Sequence, residues 1–120
     1  MKKFDKHKAN YDFQRLYRRG KSFVSPSVVT YVRKLSGNRI RLGITASKKL
    51  GSAVARNRAK RVITAAFRGC LPRIRTGYDF VIVARTRILS VKSTVVQESI
   101  MKLIKKANLC CELQDENNIN

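Results

Sequence analysis

The side chains able to do chemistry are concentrated in one stretch, Lys48 to Arg68, and nearly all of them are cations. It reads KKLGSAVARNRAKRVITAAFR. Arginine pairs bidentately with phosphate and stacks on flat rings, and lysine adds a point charge. Asn57, set among them, can both donate and accept, so it suits a base edge or a 2′-hydroxyl. Lys48, Lys49, Arg56, Asn57, Arg58, Lys60, Arg61 and Arg68 are the candidate contacts to a polyanion.

Other chemistries lack their residues. The chain has one histidine, His7, and 7 acids. Glu112, Asp115 and Glu116 lie beyond Lys106, the last basic residue. That is too sparse for a carboxylate metal cage or an acid–base pair, so no catalytic and no metal-ligating residue is assigned. Cys70, Cys110 and Cys111 are odd in number and poorly spaced for a disulfide framework or a zinc site. They read as reduced thiols of a cytoplasmic protein.

The charge balance sharpens this. Against those acids stand 27 Lys and Arg, a formal net charge of +20 in 120 residues. A compact domain carrying that much like charge repels itself, so a polyanionic partner is expected to neutralise it. Nucleic acid fits, because bound cations displace condensed counterions from phosphates. An anionic membrane is the rival. It is disfavoured because the basic residues are spread along the chain, with no apolar anchor or span of ~18–20 residues. The N-terminus has a basic start with no apolar run behind it, unlike a secretory signal.

The elements that must position the cations follow from periodicity. Asn10 caps a short helix over residues 11–19 that ends at Gly20, with Phe13, Leu16 and Tyr17 on one face. Residues 22–35 read as one strand, strongest over Val28–Val32. Ser36-Gly37-Asn38 is expected to turn it as a hairpin into residues 39–47. There Ile40, Leu42, Ile44 and Ala46 alternate with Arg41, Gly43, Thr45 and Ser47. Ser52 is the expected N-cap of a helix reaching about Leu71, before Pro72. On that helix Ala55, Ala59, Val62, Ile63, Ala66 and Phe67 form a core stripe, and Asn57, Lys60, Arg61, Thr64 and Arg68 gather opposite, with Arg56 and Arg58 at its borders. A merely solvated face would interleave acids at i+4, and no acid occurs between Asp12 and Asp79. Tyr78–Arg85 holds a continuous apolar run expected to be covered on both faces. An amphipathic helix from Val91 to about Asn108 closes the order α-β-β-α-β-α, one sheet with packed helices in the α+β class.

The basic block resembles the signature of the ribonuclease P protein family. Ser47-Lys48-Lys49, Gly51, Ala53-Val54, Arg56-Asn57-Arg58, Lys60-Arg61 and Ala66-Phe67-Arg68 fall at that family's spacing. The resemblance covers about residues 9–108. It departs at Thr64-Ala65, where the family often has Arg-Glu, and it does not extend to the segment before Asn10.

The resemblance implies an α-β-β-α-β-α sandwich of one mixed sheet with helices, like the second domain of ribosomal protein S5. It also implies a left-handed βαβ crossover, against the right-handed rule that holds in about 98% of such units. Residues 1–8 would be a flexible basic tail, 9–109 the RNA-binding domain and 110–120 a polar acidic tail. Catalysis would belong to a large RNA subunit with its Mg2+, no cofactor being bound stably by the protein. Partners would be ribonuclease P RNA and precursor tRNA, with one protein per RNA, in the cytoplasm and away from membranes. The Lys48–Arg68 candidates would dock the catalytic RNA. Phe13, Tyr17, Tyr31, Arg41, Thr45 and Ser47 would line a cleft for the 5′ leader of the substrate. Taken without the family, Phe13, Leu16 and Tyr17 would read as ordinary core. Three other classes compete: a structural RNA-binding protein such as a ribosomal one, a helix-turn-helix DNA binder and a self-sufficient protein nuclease. The first needs no leader cleft, the strands oppose the second, and the third lacks catalytic residues.

Overall fold

The computed structural model describes residues 4–6, 21–35 and 37–110. The expected helix over residues 11–19, with Phe13 and Tyr17, and the chain from 111 onward lie outside the described residues. Five strands are described: β1 Asp5–Lys6, β2 Lys21–Val24, β3 Val28–Lys34, β4 Ile40–Thr45 and β5 Tyr78–Ala84. Two α-helices accompany them, α1 Ala53–Cys70 and α2 Ser93–Lys106.

The strand order is β1-β4-β5-β3-β2. β4 runs parallel to β5 and to β1, while β3 is antiparallel to β5 and to β2. Residues 35–39 therefore do not turn a hairpin between paired strands, as the Ser-Gly-Asn signal suggested, because β5 lies between β3 and β4. Its apolar run explains the placement. Phe80 and Ile82 are buried on one face and Val81 on the other, a pattern that suits a central strand. The expected single strand over residues 22–35 is instead a real hairpin, β2–β3. Pro26 brings no N–H to a ladder. The Ser25 hydroxyl donates to Val28 O at 2.9 Å, and Ser25 N donates to the same carbonyl at 2.9 Å.

Both helices pack on one face of the sheet. Ala59, Ile63, Ala66, Phe67 and Cys70 from α1 meet Val96, Ile100, Leu103 and Ile104 from α2 over Val28, Val32, Ile40, Leu42, Phe80 and Ile82. Phe67 sits at the centre, edge-on to Phe80 and to Phe4, each with ring centroids 5.2 Å away. Cutting such a buried ring back to a methyl group costs roughly 3–5 kcal/mol. The contact with Phe4 also corrects the expected tail: residues 4–6 are held by this ring packing, by the β1–β4 ladder and by a 3.0 Å ion pair between Asp5 and Arg39.

The ends of the elements have local causes. The Ser52 hydroxyl accepts from Ala55 N at 3.3 Å and caps α1. The helix gives way to a 3-10 turn over Leu71–Arg73, with Pro72 inside it. α2 ends where Asn108 takes φ 61°. Asn108 N then reaches Lys105 O at 3.2 Å and Leu109 N reaches Ile104 O at 2.8 Å, the bond pair of a Schellman motif. Gly77, at φ 90°, threads between two strand ends: its carbonyl accepts from Leu35 N and its N–H donates to Arg39 O, both at 2.8 Å.

Candidate nucleic-acid interface

Two surfaces collect the candidate residues. The first is the outer side of α1. Leu50, buried, anchors a 3-10 turn over Lys48–Leu50. The Ser47 hydroxyl caps that turn by accepting from Lys49 N at 3.3 Å. Lys48 and Lys49 are thereby held exposed immediately before the N-terminus of α1, whose unpaired N–H groups carry partial positive charge.

Along the helix, Asn57, Lys60, Arg61, Thr64, Ala65 and Arg68 line one shallow open depression of about 550 Å3. Arg58 is exposed beside it, whereas Arg56 is half-buried with its Nε unbonded. Only Arg56 of the two arginines thus sits at the border of the buried stripe. Arg68 is held over the Phe4 ring at 5.6 Å, a cation–π contact that fixes one end of the depression. The Thr64 hydroxyl is spent on Lys60 O at 2.8 Å. Among the described residues no carboxylate pairs with a cation of α1, so the charge of α1 is left for an outside anion.

The second surface is the sheet face away from the helices. Rows of residues in register cross it: Tyr31, Val81 and Gly43; Val29, Val83 and Thr45; Arg33, Asp79 and Arg41. The candidates Tyr31, Arg41 and Thr45 thus share one face. Tyr31 stands two strand spacings from Gly43, roughly 10 Å. Ser47 lies past the end of β4 in the capping turn, nearer the first surface. The residues that sequence reasoning missed are Arg33 and Asp79. Asp79 is fully buried, and its Oδ2 accepts from Arg33 Nη2 at 3.0 Å and from Arg41 Nη2 at 2.9 Å. Two guanidinium groups on one carboxylate leave a net positive charge at this end of the face. The signal was available in the lone acid at the head of an apolar strand.

Among the described residues no three His, Cys, Asp or Glu side chains come together. No helix among them is long and apolar enough to cross a membrane.

Known proteins share this arrangement. The family model described as ribonuclease P matches residues 1–108. A ribonuclease P protein component from Pelotomaculum thermopropionicum is 41% identical over 109 residues, 91% of this chain and 97% of that protein. One from Clostridium acetobutylicum is 40% identical over 112 residues, 92% of each chain. The solved RNase P protein of Staphylococcus aureus superposes with a TM-score of 0.76 at 34% identity, covering 89% of this chain and 98% of that one. That of Thermotoga maritima gives 0.75 at 29% identity, covering 85% and 96%. A rigid superposition of this extent preserves handedness, so β4, α1 and β5 connect with the hand found in those proteins. The mixed sheet with its helices, the cationic helix and these matches lead to one assignment: the chain belongs to the ribonuclease P protein family, the protein component of the bacterial tRNA-processing endoribonuclease whose RNA subunit is the catalyst.

Proposed function

We propose a division of labour between the two surfaces. The outer side of α1, with Lys48, Lys49, Arg56, Asn57, Arg58, Lys60, Arg61 and Arg68, docks the ribonuclease P RNA. The sheet face away from α1 and α2, with Tyr31, Arg41 and Thr45, takes the single-stranded 5′ leader of precursor tRNA. Ser47, which joins the two surfaces, contacts RNA from its capping turn. Phe13 and Tyr17 complete the leader platform. One protein serves one RNA in the cytoplasm. Mg2+ enters with the RNA, and the protein's cations lower the amount required by screening phosphate repulsion.

The observation that carries this reading is that the cations of α1 lack carboxylate partners among the described residues, while an aromatic ring and two arginines stand on the other surface. Aromatic faces suit single strands because every base can stack on them.

The test is reconstitution with a bacterial ribonuclease P RNA at low magnesium. The chain is expected to restore cleavage of precursor tRNA at the mature 5′ end. Failure to activate any such RNA would overturn the reading. Equal gains in affinity for substrates with and without leaders would overturn the leader assignment alone.

A further inference from the structure

A third concave surface lies on the helix side of the sheet, away from Tyr31. The β2–β3 hairpin and the C-terminal half of α2 enclose a cavity of about 460 Å3, within the ~300–1,000 Å3 of small-ligand sites. Val28, Thr30 and Leu103 are buried at its base, Phe23 is half-buried beside them, and Lys102 and Lys106 are exposed at its rim.

Three features point to one class of ligand. Lys102 and Lys106 are four residues apart, one above the other on α2. Neither is paired with a carboxylate among the described residues; Glu98, a turn before Lys102, does not line the cavity. The Thr30 side chain is 1% exposed, and its hydroxyl has no hydrogen-bond partner. Its register neighbours, Phe23 on β2 and Ile82 on β5, offer no side-chain acceptor. The hydroxyls of Ser25 and Ser99 on the same lining are already spent, on Val28 O at 2.9 Å and Val95 O at 3.3 Å. Phe23 supplies an aromatic ring.

We propose that this cavity holds one nucleotide of a single-stranded RNA. The base lies against Phe23, the Thr30 hydroxyl bonds its edge or the 2′-hydroxyl, and the flanking phosphates lie on Lys102 and Lys106. An acidic peptide would meet the lysines and could bond the hydroxyl, but a glutamate side chain brings no flat face to the Phe23 ring, whereas every base does. Because the cavity and the Tyr31 face are on opposite sides of the sheet, a leader lying on one does not fill the other. The strand held here is a different RNA segment. The inference rests on RNA being the partner, as the family assignment has it, and not on the leader assignment.

The test is a site-resolved amide titration of the full chain with five-nucleotide oligoadenylate, inorganic phosphate and a penta-glutamate peptide, each separately. Oligoadenylate is expected to shift the amides of Phe23, Thr30, Ser99 and Lys102 together and saturably. Thr30→Val, which keeps the shape and drops the hydroxyl, should weaken that binding at least threefold while leaving the fold as stable or more so. Lys102→Gln with Lys106→Gln should weaken it at least tenfold. A control pair of equal charge loss away from the cavity, Lys34→Gln with Lys92→Gln, should change it less than twofold. The proposal is overturned if the control pair weakens binding as much, if the peptide or phosphate alone binds these amides more tightly, or if oligoadenylate shifts only the Tyr31 face. None of those results touches the leader assignment, which is read from leader-dependent substrate affinity.

Discussion

Arg41 donates through Nη2 to Asp79 Oδ2 at 2.9 Å, and this contact ties an edge-side cation of β4 to the central strand. Arg33 reaches the same oxygen from β3 at 3.0 Å. The carboxylate is fully buried and each arginine is 19% exposed. One acid therefore aims two guanidinium groups along the face proposed for the leader.

Asp79→Asn keeps the shape and removes the charge, leaving two partly buried cations facing each other. Breaking a buried pair costs about 3–5 kcal/mol; with the arginines partly solvated, a loss of about 2–4 kcal/mol is expected. Urea unfolding followed by circular dichroism reads it as a lower midpoint. A change below about 0.5 kcal/mol would mean that the arginines find other partners.

Tyr31→Val preserves a β-former and removes the ring. If the ring stacks on a leader base, precursor affinity should fall by about 1–3 kcal/mol, some five- to 150-fold. Affinity for leaderless tRNA should stay within twofold. Competition binding with the reconstituted holoenzyme separates the two.

Arg58→Ala removes an exposed cation from α1 that is bonded to no acid among the described residues. Affinity for the ribonuclease P RNA should drop, and the slope of log K against log salt should become shallower by about one. An unchanged slope would place Arg58 off the RNA.

How much of this was legible depended on how local each cause was. The boundaries of α1 could be read because Ser52 and Pro72 act within a few residues. Its core stripe was likewise readable, since Ala59, Ile63 and Phe67 repeat at helical spacing. The partner of each strand could not be read that way. Gly37-Asn38 carries the composition of a hairpin turn, yet β3 and β4 are separated by a strand that starts at Tyr78. Pro26 punctuates residues 22–35, but the β-rich composition on either side of it masked the break. Phe4 looked like part of a basic tail, because nothing nearby in sequence announces Phe67. The role of Asp79 appears only once β3, β4 and β5 are in register.

Gly77 is held at φ 90°, and a Cβ there would stand 3.0 Å from Gly37 O. Gly77→Ala is expected to cost at least ~1–2 kcal/mol from the left-handed backbone alone, read as a lower denaturation midpoint. Gly37, also at positive φ but with open space around it, should respond less when changed to Asn, a residue that tolerates that region.

Cys70 is buried, and burial pushes its thiol up to about 11 from 9.0. Between those values the unfolded chain loses the proton while the folded one keeps it, so the folded state binds more protons and stability falls as pH rises. The contribution is fully present below pH 9 and is lost by pH 11, amounting to roughly 2–3 kcal/mol at ~1.4 per unit. Cys70→Ala should lack this part of the alkaline decline, measured as the difference between the two unfolding curves at pH 8 and 10.5. The native thiol should also resist alkylation at pH 8.

The central place of β5 has a consequence for synthesis on the ribosome. Before residue 78 emerges, the nascent chain can form the β2–β3 hairpin and pair β1 with β4, but nothing joins the two ribbons. Both inner edges then stand open beside an amphipathic α1 with no complete sheet to cover. Late closure of long-range strand pairs is slow and leaves sticky intermediates. Truncated chains ending before Tyr78 should therefore aggregate or recruit chaperones, and chains extended past Ala84 and α2 should not. The strand that organises the finished sheet is also the checkpoint for its birth.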